Sequence, residues 1–471
     1  MKRRLIFSLG PMLMASSVVA VELTDLAGDW TLAEFTTPSR LRETFYNFET
    51  DTIRIGENSQ ETGLPNEILV DAFYPAPASA TLRSFLLGPS GVASGGESGQ
   101  IVAISNNRLV YRDEDGLENL YTNTVGDLIL TNSGEDDLQS ISIALKKPET
   151  LSAAEVAGDW TLISVISPTD ITKTDFEGQI VDAYFETDPS ITTSSVTINA
   201  GGTLLIDGGE AGTFSIEGTT GTAQLGPQSI PFQFNASKNV MTARTGDDNE
   251  EEFLILVKTP SSLSTSDLAG TWRLSTFRMP TVLFETYLDE ESGTTRQAES
   301  DDFAGDGEIL VDFFHPNFFE TKKYEVQVSP GGTFTGVGAG GAMTANADGS
   351  VTVDVGEAIS FYPNAGKDFM IGRLAGSDDM EFLVMVKTSD GVITDLDERA
   401  GLATFPAVAG GSLLLNWNAD EGLVLEESSE LDPGLWVESP ANKAGGTAVI
   451  DPSEATKRFF RIAEKPEEED E

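Results

Sequence analysis

The sequence predicts an all-β chain, with three tandem up-and-down meander barrels followed by a small β-sandwich-like module. Three observations carry this. The stretch Leu26-Ala27-Gly28-Asp29-Trp30-Thr31-Leu32 returns as Val156-Ala157-Gly158-Asp159-Trp160-Thr161-Leu162 and as Leu268-Ala269-Gly270-Thr271-Trp272-Arg273-Leu274. Each copy ends in an apolar run closed by lysine: Ile143-Ala144-Leu145-Lys146, Ile255-Leu256-Val257-Lys258 and Val384-Met385-Val386-Lys387. Between these marks lie short alternating segments separated by glycine-rich or acidic turns, the pattern of half-buried strands.

The boundaries follow from those marks. Residues 1–20 read as a secretory signal peptide: Lys2, Arg3 and Arg4 precede the apolar run Leu5 to Val19, and Val18-Val19-Ala20 offers a cleavage site. The repeats are placed at 21–149, 150–261 and 262–391, the last module at 401–463 and an acidic tail at 464–471. The expected location is secreted, extracellular or periplasmic, with no membrane span in the mature chain and no cysteine for a lipid anchor. With 471 residues and no Cys, the chain must rely on hydrophobic cores rather than disulfides. A formal net charge of −47 repels phosphate backbones and anionic lipid surfaces, so no nucleic-acid partner is expected.

Each unit opens with a helical turn. Ser152-Ala153-Ala154-Glu155 and Ser264-Thr265-Ser266-Asp267 have the Ser-x-x-acid form of a capping box. The Gly-x-Trp strand follows, with Trp160, Leu162 and Ser164 on one face and Thr161, Ile163 and Val165 on the other. A polar loop then leads to Ile68-Leu69-Val70-Asp71, Gln179-Ile180-Val181-Asp182 or Ile309-Leu310-Val311-Asp312, read as the next strand. A hairpin turns at Ala200-Gly201-Gly202 or Pro330-Gly331-Gly332, where glycine supplies positive φ. Later strands turn at Asn235 to Asn239 and Asn364 to Lys367, then at acidic turns Asp136-Asp137, Asp247-Asp248 and Asp378-Asp379. About eight strands per unit suit a small closed barrel. An open two-sheet sandwich fits the same pattern.

The Gly-x-Trp opener after a helical turn, at Gly28/Trp30, Gly158/Trp160 and Gly270/Trp272, resembles the lipocalin-type barrel family. That resemblance implies a structural Trp packed across the closed end of each barrel, under a basic side chain from a late strand. Lys146, Lys258 and Lys387 match that role, because the last strand of a closed meander pairs with the first. The family's Thr-Asp-Tyr-like turn is absent. The final module carries Trp417, Gly422, Glu427-Ser428-Ser429, Leu431, Trp436 and Phe459-Phe460-Arg461. It resembles short C-terminal β-modules of secreted environmental bacterial proteins, and this implies no activity.

If the loop after the Trp strand covers the barrel mouth, Phe45, Tyr46, Phe284 and Tyr287 are the candidate ligand-binding residues, closing over a small apolar molecule. A side-chain-filled interior is the competing expectation. Asp71, Asp182 and Asp312 recur at one place and read as turn or backbone partners. The acidic turns lack the ordered ligand spacing of a calcium loop. His315, the single histidine, is placed at a rim or turn, with no Gly-x-Ser-x-Gly elbow to serve. No metal site and no cofactor are expected. The sequence therefore points to a secreted non-catalytic repeat protein. It would bind small apolar molecules, or serve as a surface or extracellular structural module with a partner there. The alternative is an extracellular carbohydrate-active or other carboxylate-based hydrolase.

Overall fold

The computed structural model describes residues 21–390 apart from short internal stretches, of which 58–65 and 300–307 are the longest, and the backbone of six strands between 403 and 464. The segment read as a signal peptide, most of the acidic tail and the turn at Asp136-Asp137 lie outside the described residues. Most of the rest is strand. Each repeat forms a closed antiparallel barrel of eight strands. The C-terminal strands form two three-stranded sheets, Ala403–Val408 with Ser412–Asn416 and Thr447–Ile450, and Val437–Glu438 with Leu423–Ser428 and Phe459–Glu464.

The Trp strand closes each barrel. In barrel 1, Gly28–Pro38 pairs with the last strand Leu138–Lys146 on one side and with Ser79–Leu87 on the other. Trp30 lies opposite Lys146, Trp160 opposite Lys258 and Trp272 opposite Lys387. The three indoles are at most 1% exposed. Each indole N–H donates to the carbonyl at the end of the preceding helical turn: Leu26 at 2.8 Å, Val156 at 2.9 Å and Leu268 at 2.8 Å. The lysine ammonium groups donate to the carbonyls one residue earlier, those of Asp25, Glu155 and Asp267. Lys258 and Lys387 sit 5.8 and 5.7 Å from the Trp160 and Trp272 rings, within cation–π range. Gly28, Gly158 and Gly270 have φ of +142°, +135° and +137°. A Cβ on any of them would press on the lysine stem or its strand. The helical turn, glycine, tryptophan and lysine thus form one plug.

The segment after the Trp strand is not a loop, and the strand after it does not join the barrel. In repeat 1 it forms a separate sheet with Arg42–Asn47 between Thr52–Glu57 and Glu67–Phe73. Repeat 3 does the same with Phe284–Asp289, Thr295–Glu299 and Glu308–Phe314, and repeat 2 keeps two strands, Thr172–Phe176 and Gln179–Tyr184. The reason is local. Phe45, flanked by Thr44 and Tyr46, and Ile53 and Ile55, flanking Arg54, alternate with period two, so the polar stretch carries its own strand signal.

The barrels pack around a common axis. One cluster draws Phe35, Ile141 and Ile143 from barrel 1, Val165, Phe253 and Ile255 from barrel 2, and Phe277, Phe382 and Val384 from barrel 3. The Phe35 ring lies 5.7 Å from both Phe253 and Phe277. Polar contacts join each pair of barrels round this core. Arg244 of barrel 2 donates to the Ala80 carbonyl of barrel 1 at 2.9 Å, Arg373 of barrel 3 to Ile191 of barrel 2 at 2.8 Å, and Asn132 of barrel 1 to Lys322 of barrel 3 at 3.1 Å. Head-to-tail contacts that return to the start close a ring, here within one chain.

Two further layers lie on the ring. Among the hairpin turns, Asn123 donates to Asp127 and to Asp368, both at 2.8 Å, and Asn235 donates to Asp127 at 3.0 Å and Asn239 at 2.8 Å. The inserted sheets bury a second shared core that includes Leu41, Phe45, Tyr74, Ile180, Tyr287 and Leu310. His315 belongs to this layer and not to a rim. It is buried and stacks between Tyr74 and Phe185, with ring centroids 6.0 and 5.9 Å away. Its Nδ1–H donates to the Val282 carbonyl at 3.1 Å, leaving Nε2 to accept from the Tyr74 hydroxyl at 2.8 Å. Burial pushes its pKa down to about 4, so the ring is neutral near pH 7.

Candidate functional site

Inside the barrels, the Trp plug forms the floor and the strands diverge in character above it. Inward positions along the Trp strand run Trp30, Leu32, Glu34 in barrel 1, Trp160, Leu162, Ser164 in barrel 2 and Trp272, Leu274, Thr276 in barrel 3. Barrel 2 is nearly filled. Phe214 packs 6.1 Å from Phe232 and 6.4 Å from Phe234, and Phe234 lies edge-on to Trp160 at 6.2 Å. About 50 Å³ of free space remains, with a wholly apolar lining.

Barrels 1 and 3 keep cavities of about 170 and 160 Å³. An enclosed apolar cavity of roughly this size accepts benzene. In barrel 3 the walls are apolar, with Tyr324, Phe334, Met343, Phe361, Leu383 and Met385. Its rim charges are internally paired: Arg278 meets Glu381 at 2.6 Å and Asp379 at 3.5 Å, and Lys322 meets Glu320 at 2.7 Å.

Barrel 1 is different above the floor. Leu32, Phe85, Leu87, Leu120 and Ile129 line its lower wall, while Glu34, Glu97, Asp113, Glu118 and Arg83 line the upper. Arg83 is shared between Glu34 at 2.5 Å and Glu97 at 3.1 Å. The Thr131 hydroxyl donates to Glu118 at 2.5 Å. Burial holds the Glu97 and Glu118 carboxyls above the usual carboxylate range, against the pull of Arg83 and Thr131 respectively. The Tyr111 phenol is pushed up to about 12, first by burial and then by Glu97, Asp113 and Glu118. Its hydroxyl has no hydrogen-bond partner among the described residues. Gly99 lets that hydroxyl pass, since a Cβ there would stand 2.4 Å from it.

The residues expected over the mouths take other places. Phe45 and Tyr287 are buried in the inserted-sheet core. Arg54 lies 4.4 Å over the Phe45 ring and pairs with Glu67 at 2.8 Å. Arg296 lies 4.7 Å over the Tyr287 ring and pairs with Glu308 at 2.7 Å. The two repeats thus build the same arginine bracket. Phe284 packs at a tilt against Phe314 with ring centroids 5.8 Å apart, and the Tyr46 hydroxyl donates to Asp51 at 2.9 Å. None of the four is among the residues lining the two cavities. Sequence reasoning passed over Glu118, Ser142 and Arg83. Counting back from the closing lysine would have shown Ser142 facing Leu254 and Leu383 of the other copies.

Of the recurring aspartates, Asp71 accepts from Lys173 of repeat 2 at 2.7 Å, and Asp312 is buried. Among the described residues no three His, Cys, Asp or Glu side chains group as metal ligands. Of the acidic turns, Asp248 and Asp378 lie outside those residues. No helix among them is long and apolar enough to cross a membrane.

No family model matches this chain, and no curated protein does. Three solved structures of transferrin binding protein B are similar to it at a low level. The isotype 1 protein from serogroup B Neisseria meningitidis shares 11% identity over 74% of this chain and 65% of that one, with a TM-score of 0.18. Intact Ap-TbpB, with N and C lobes, shares 12% identity over 76% of each chain at 0.19, and a mutant from Haemophilus parasuis Hp5 shares 12% over 77% and 76% at 0.16. At such scores the likeness carries no argument.

Proposed function

We propose that this chain is an exported, non-catalytic binding protein that holds small molecules with an apolar body inside barrels 1 and 3, while barrel 2 is a filled spacer. The observation that supports this is the contrast between cavities of about 170 and 160 Å³ and one of about 50 Å³ under the same plug. A protein needing only three structural units has no reason to leave two of them hollow, because empty core volume is destabilising. The lipocalin-like reading of the sequence agrees with an interior site. The experiment is native mass spectrometry of the full chain, purified without detergent. Repeat 2 alone would expose its axial face, so the intact chain is the right sample. Retained mass that leaves on denaturation is expected. An apo mass throughout, with no thermal shift from a panel of small aromatic molecules, would remove the carrier reading.

A second reading, a carboxylate-based hydrolase, has one observation in its favour. Glu97 and Glu118 face the same cavity, and burial raises the pKa of both carboxyls, the direction a general acid needs. Its check is hydrolysis of an extracellular glycan panel that disappears in E118Q.

A further inference from the structure

Repeats 2 and 3 fasten their helical turns in the same way. A lysine three residues after the buried turn asparagine reaches the acid of the helical turn. Lys238 pairs with Glu155, and Lys367 with Asp267 at 2.9 Å. Both lysines hold positive φ, +59° and +60°. Repeat 1 has Gly126 at that place, with φ +72°, and Val21 packs against it. A Cβ on Gly126 would stand 3.0 Å from Val21 Cγ1 and 3.5 Å from Leu26 Cδ2, so a lysine there would press on Val21. Repeat 1 has exchanged an ion pair for a valine socket.

Val21 leads in turn to repeat 3. It is buried, and its backbone N–H donates to Asn107 Oδ1 at 2.9 Å. Asn107 is 1% exposed, and its Nδ2 donates to the Thr388 carbonyl at 2.8 Å. Thr388 directly follows the closing Lys387, as Thr259 follows Lys258. A related contact occurs one step round the ring. The turn Asn346 to Ser350 of repeat 3 lies on Thr259 of repeat 2, where a Cβ on Gly349 would stand 3.0 Å from Thr259 Cγ2. There the peptide itself runs on from Thr259 into the helical turn at Thr265, just as it runs from Lys147 into the turn at Ala153. Repeat 3 has no such peptide to repeat 1, because the two stand at opposite ends of the repeat array. Asn107 spans that gap with one amide.

We infer that Asn107 is a latch, one side chain that fastens the floor of barrel 1 and closes the ring at the seam that has no linker. Its oxygen holds Val21 and, through it, the turn Leu23–Leu26, whose last carbonyl receives the Trp30 indole. Its amide group holds the end of the last strand of repeat 3. The floors of barrels 2 and 3 have their own lysine pair and a continuous linker, so they do not rest on the seam. Both contacts of Asn107 lie in a dry site, where a polar group left unpaired is costly.

The test is hydrogen exchange of the full chain, read by mass spectrometry near neutral pH. Asn107 has φ +60°, and Asn107→Gly keeps that backbone conformation while removing the side chain. Segments 22–27 and 387–390 are expected to exchange at least about tenfold faster, the ordinary effect of stranding a buried hydrogen-bonding group. Segments 152–157 and 264–269, the matching turns of repeats 2 and 3, should keep their rates within about twofold. Asn107→Asp keeps an acceptor for Val21 and removes the donor to Thr388. It should speed 387–390 and leave 22–27 near the original rate. If Asn107→Gly leaves either of its two segments unchanged, or speeds all three helical turns alike, the latch is overturned. Should that variant not fold, Asn107→Asp decides alone, and an unchanged 387–390 overturns the seam contact.

Discussion

At one register of the closing strand, the three barrels direct Ile141, Phe253 and Phe382 outward to the common axis. One residue further along, Ser142, Leu254 and Leu383 point inward. The outward set is uniformly apolar and the inward set is not. The same holds for the Trp strand, where Phe35, Val165 and Phe277 meet at the axis while Glu34, Ser164 and Thr276 face inside. The outer wall is constrained by two neighbours at once, since each barrel must fit both others for the ring to close. The interior is constrained only by its own plug. Divergence among copies has therefore gathered inside, where it changes what the barrel can hold without disturbing the assembly.

The comparison is broken most severely at the axis. Phe35 touches Phe253 and Phe277 of the two other barrels and is 0% exposed. Phe35→Ala leaves a hole that no single barrel can close by relaxing. A loss of about 3–5 kcal/mol is expected. It should appear in urea unfolding of the full chain as one earlier transition, seen alike by tryptophan fluorescence and by circular dichroism. If only one barrel melted early, the axial core would be a weak seam and the ring would not be one cooperative unit.

A smaller effect probes the polar end of the same axis. Burial, reinforced by Asp127, lifts the Asp368 carboxyl to about 6, although Asn364 and Asn123 hydrogen-bond to it. An unfolded aspartate titrates near 4. Between those values the folded chain keeps a proton that the unfolded chain has lost. The stability this group supports is thus present below about pH 4, falls as pH rises to about 6, and is flat above. Asp368→Asn, which copies Asn239 of repeat 2, should reduce the fall over that window by about 1–2 kcal/mol. Urea midpoints taken on either side of the window read it. An unchanged slope would mean that the carboxyl is solvated or compensated in the folded chain.

Much of this was legible in the chain. The plug was, because glycine, tryptophan and lysine recur in phase and the pairing of first and last strands follows from closure. The ring was legible in part and passed over. Phe253-Leu254-Ile255-Leu256-Val257 and Phe382-Leu383-Val384-Met385-Val386 are unbroken apolar runs. A strand lining one barrel should alternate, and an unbroken run marks burial on both faces. What covers the second face is not written locally, since the partner residues lie one or two repeats away. The inserted sheets were hidden by their polar composition, and His315 by its neighbour Pro316, which read as a turn. The chamber of barrel 1 needed the strand registers before Glu118 and Ile230 could be set side by side.

The smallest expected effect lies at a surface where two copies share a frame and differ in polarity. In repeats 1 and 3 the inserted sheets match strand for strand. Thr44 and Thr286 pair with Asp71 and Asp312, with a bulge at the following position in both. The arginine bracket is also the same, Arg54 with Glu67 and Arg296 with Glu308. On either side of that arginine the edge strand shows Ile53 and Ile55 in repeat 1, 69% and 57% exposed, and Thr295 and Gln297 in repeat 3. These side chains point away from the shared core, so their apolar area is not removed from water on folding. Replacing them with the residues of the other copy, Ile53→Thr with Ile55→Gln, should change stability by less than about 0.5 kcal/mol. Denaturant midpoints of the double variant measure it. A loss near that of a buried isoleucine would show that this face is covered in solution, and the two inserted sheets would then differ in burial as well as in polarity.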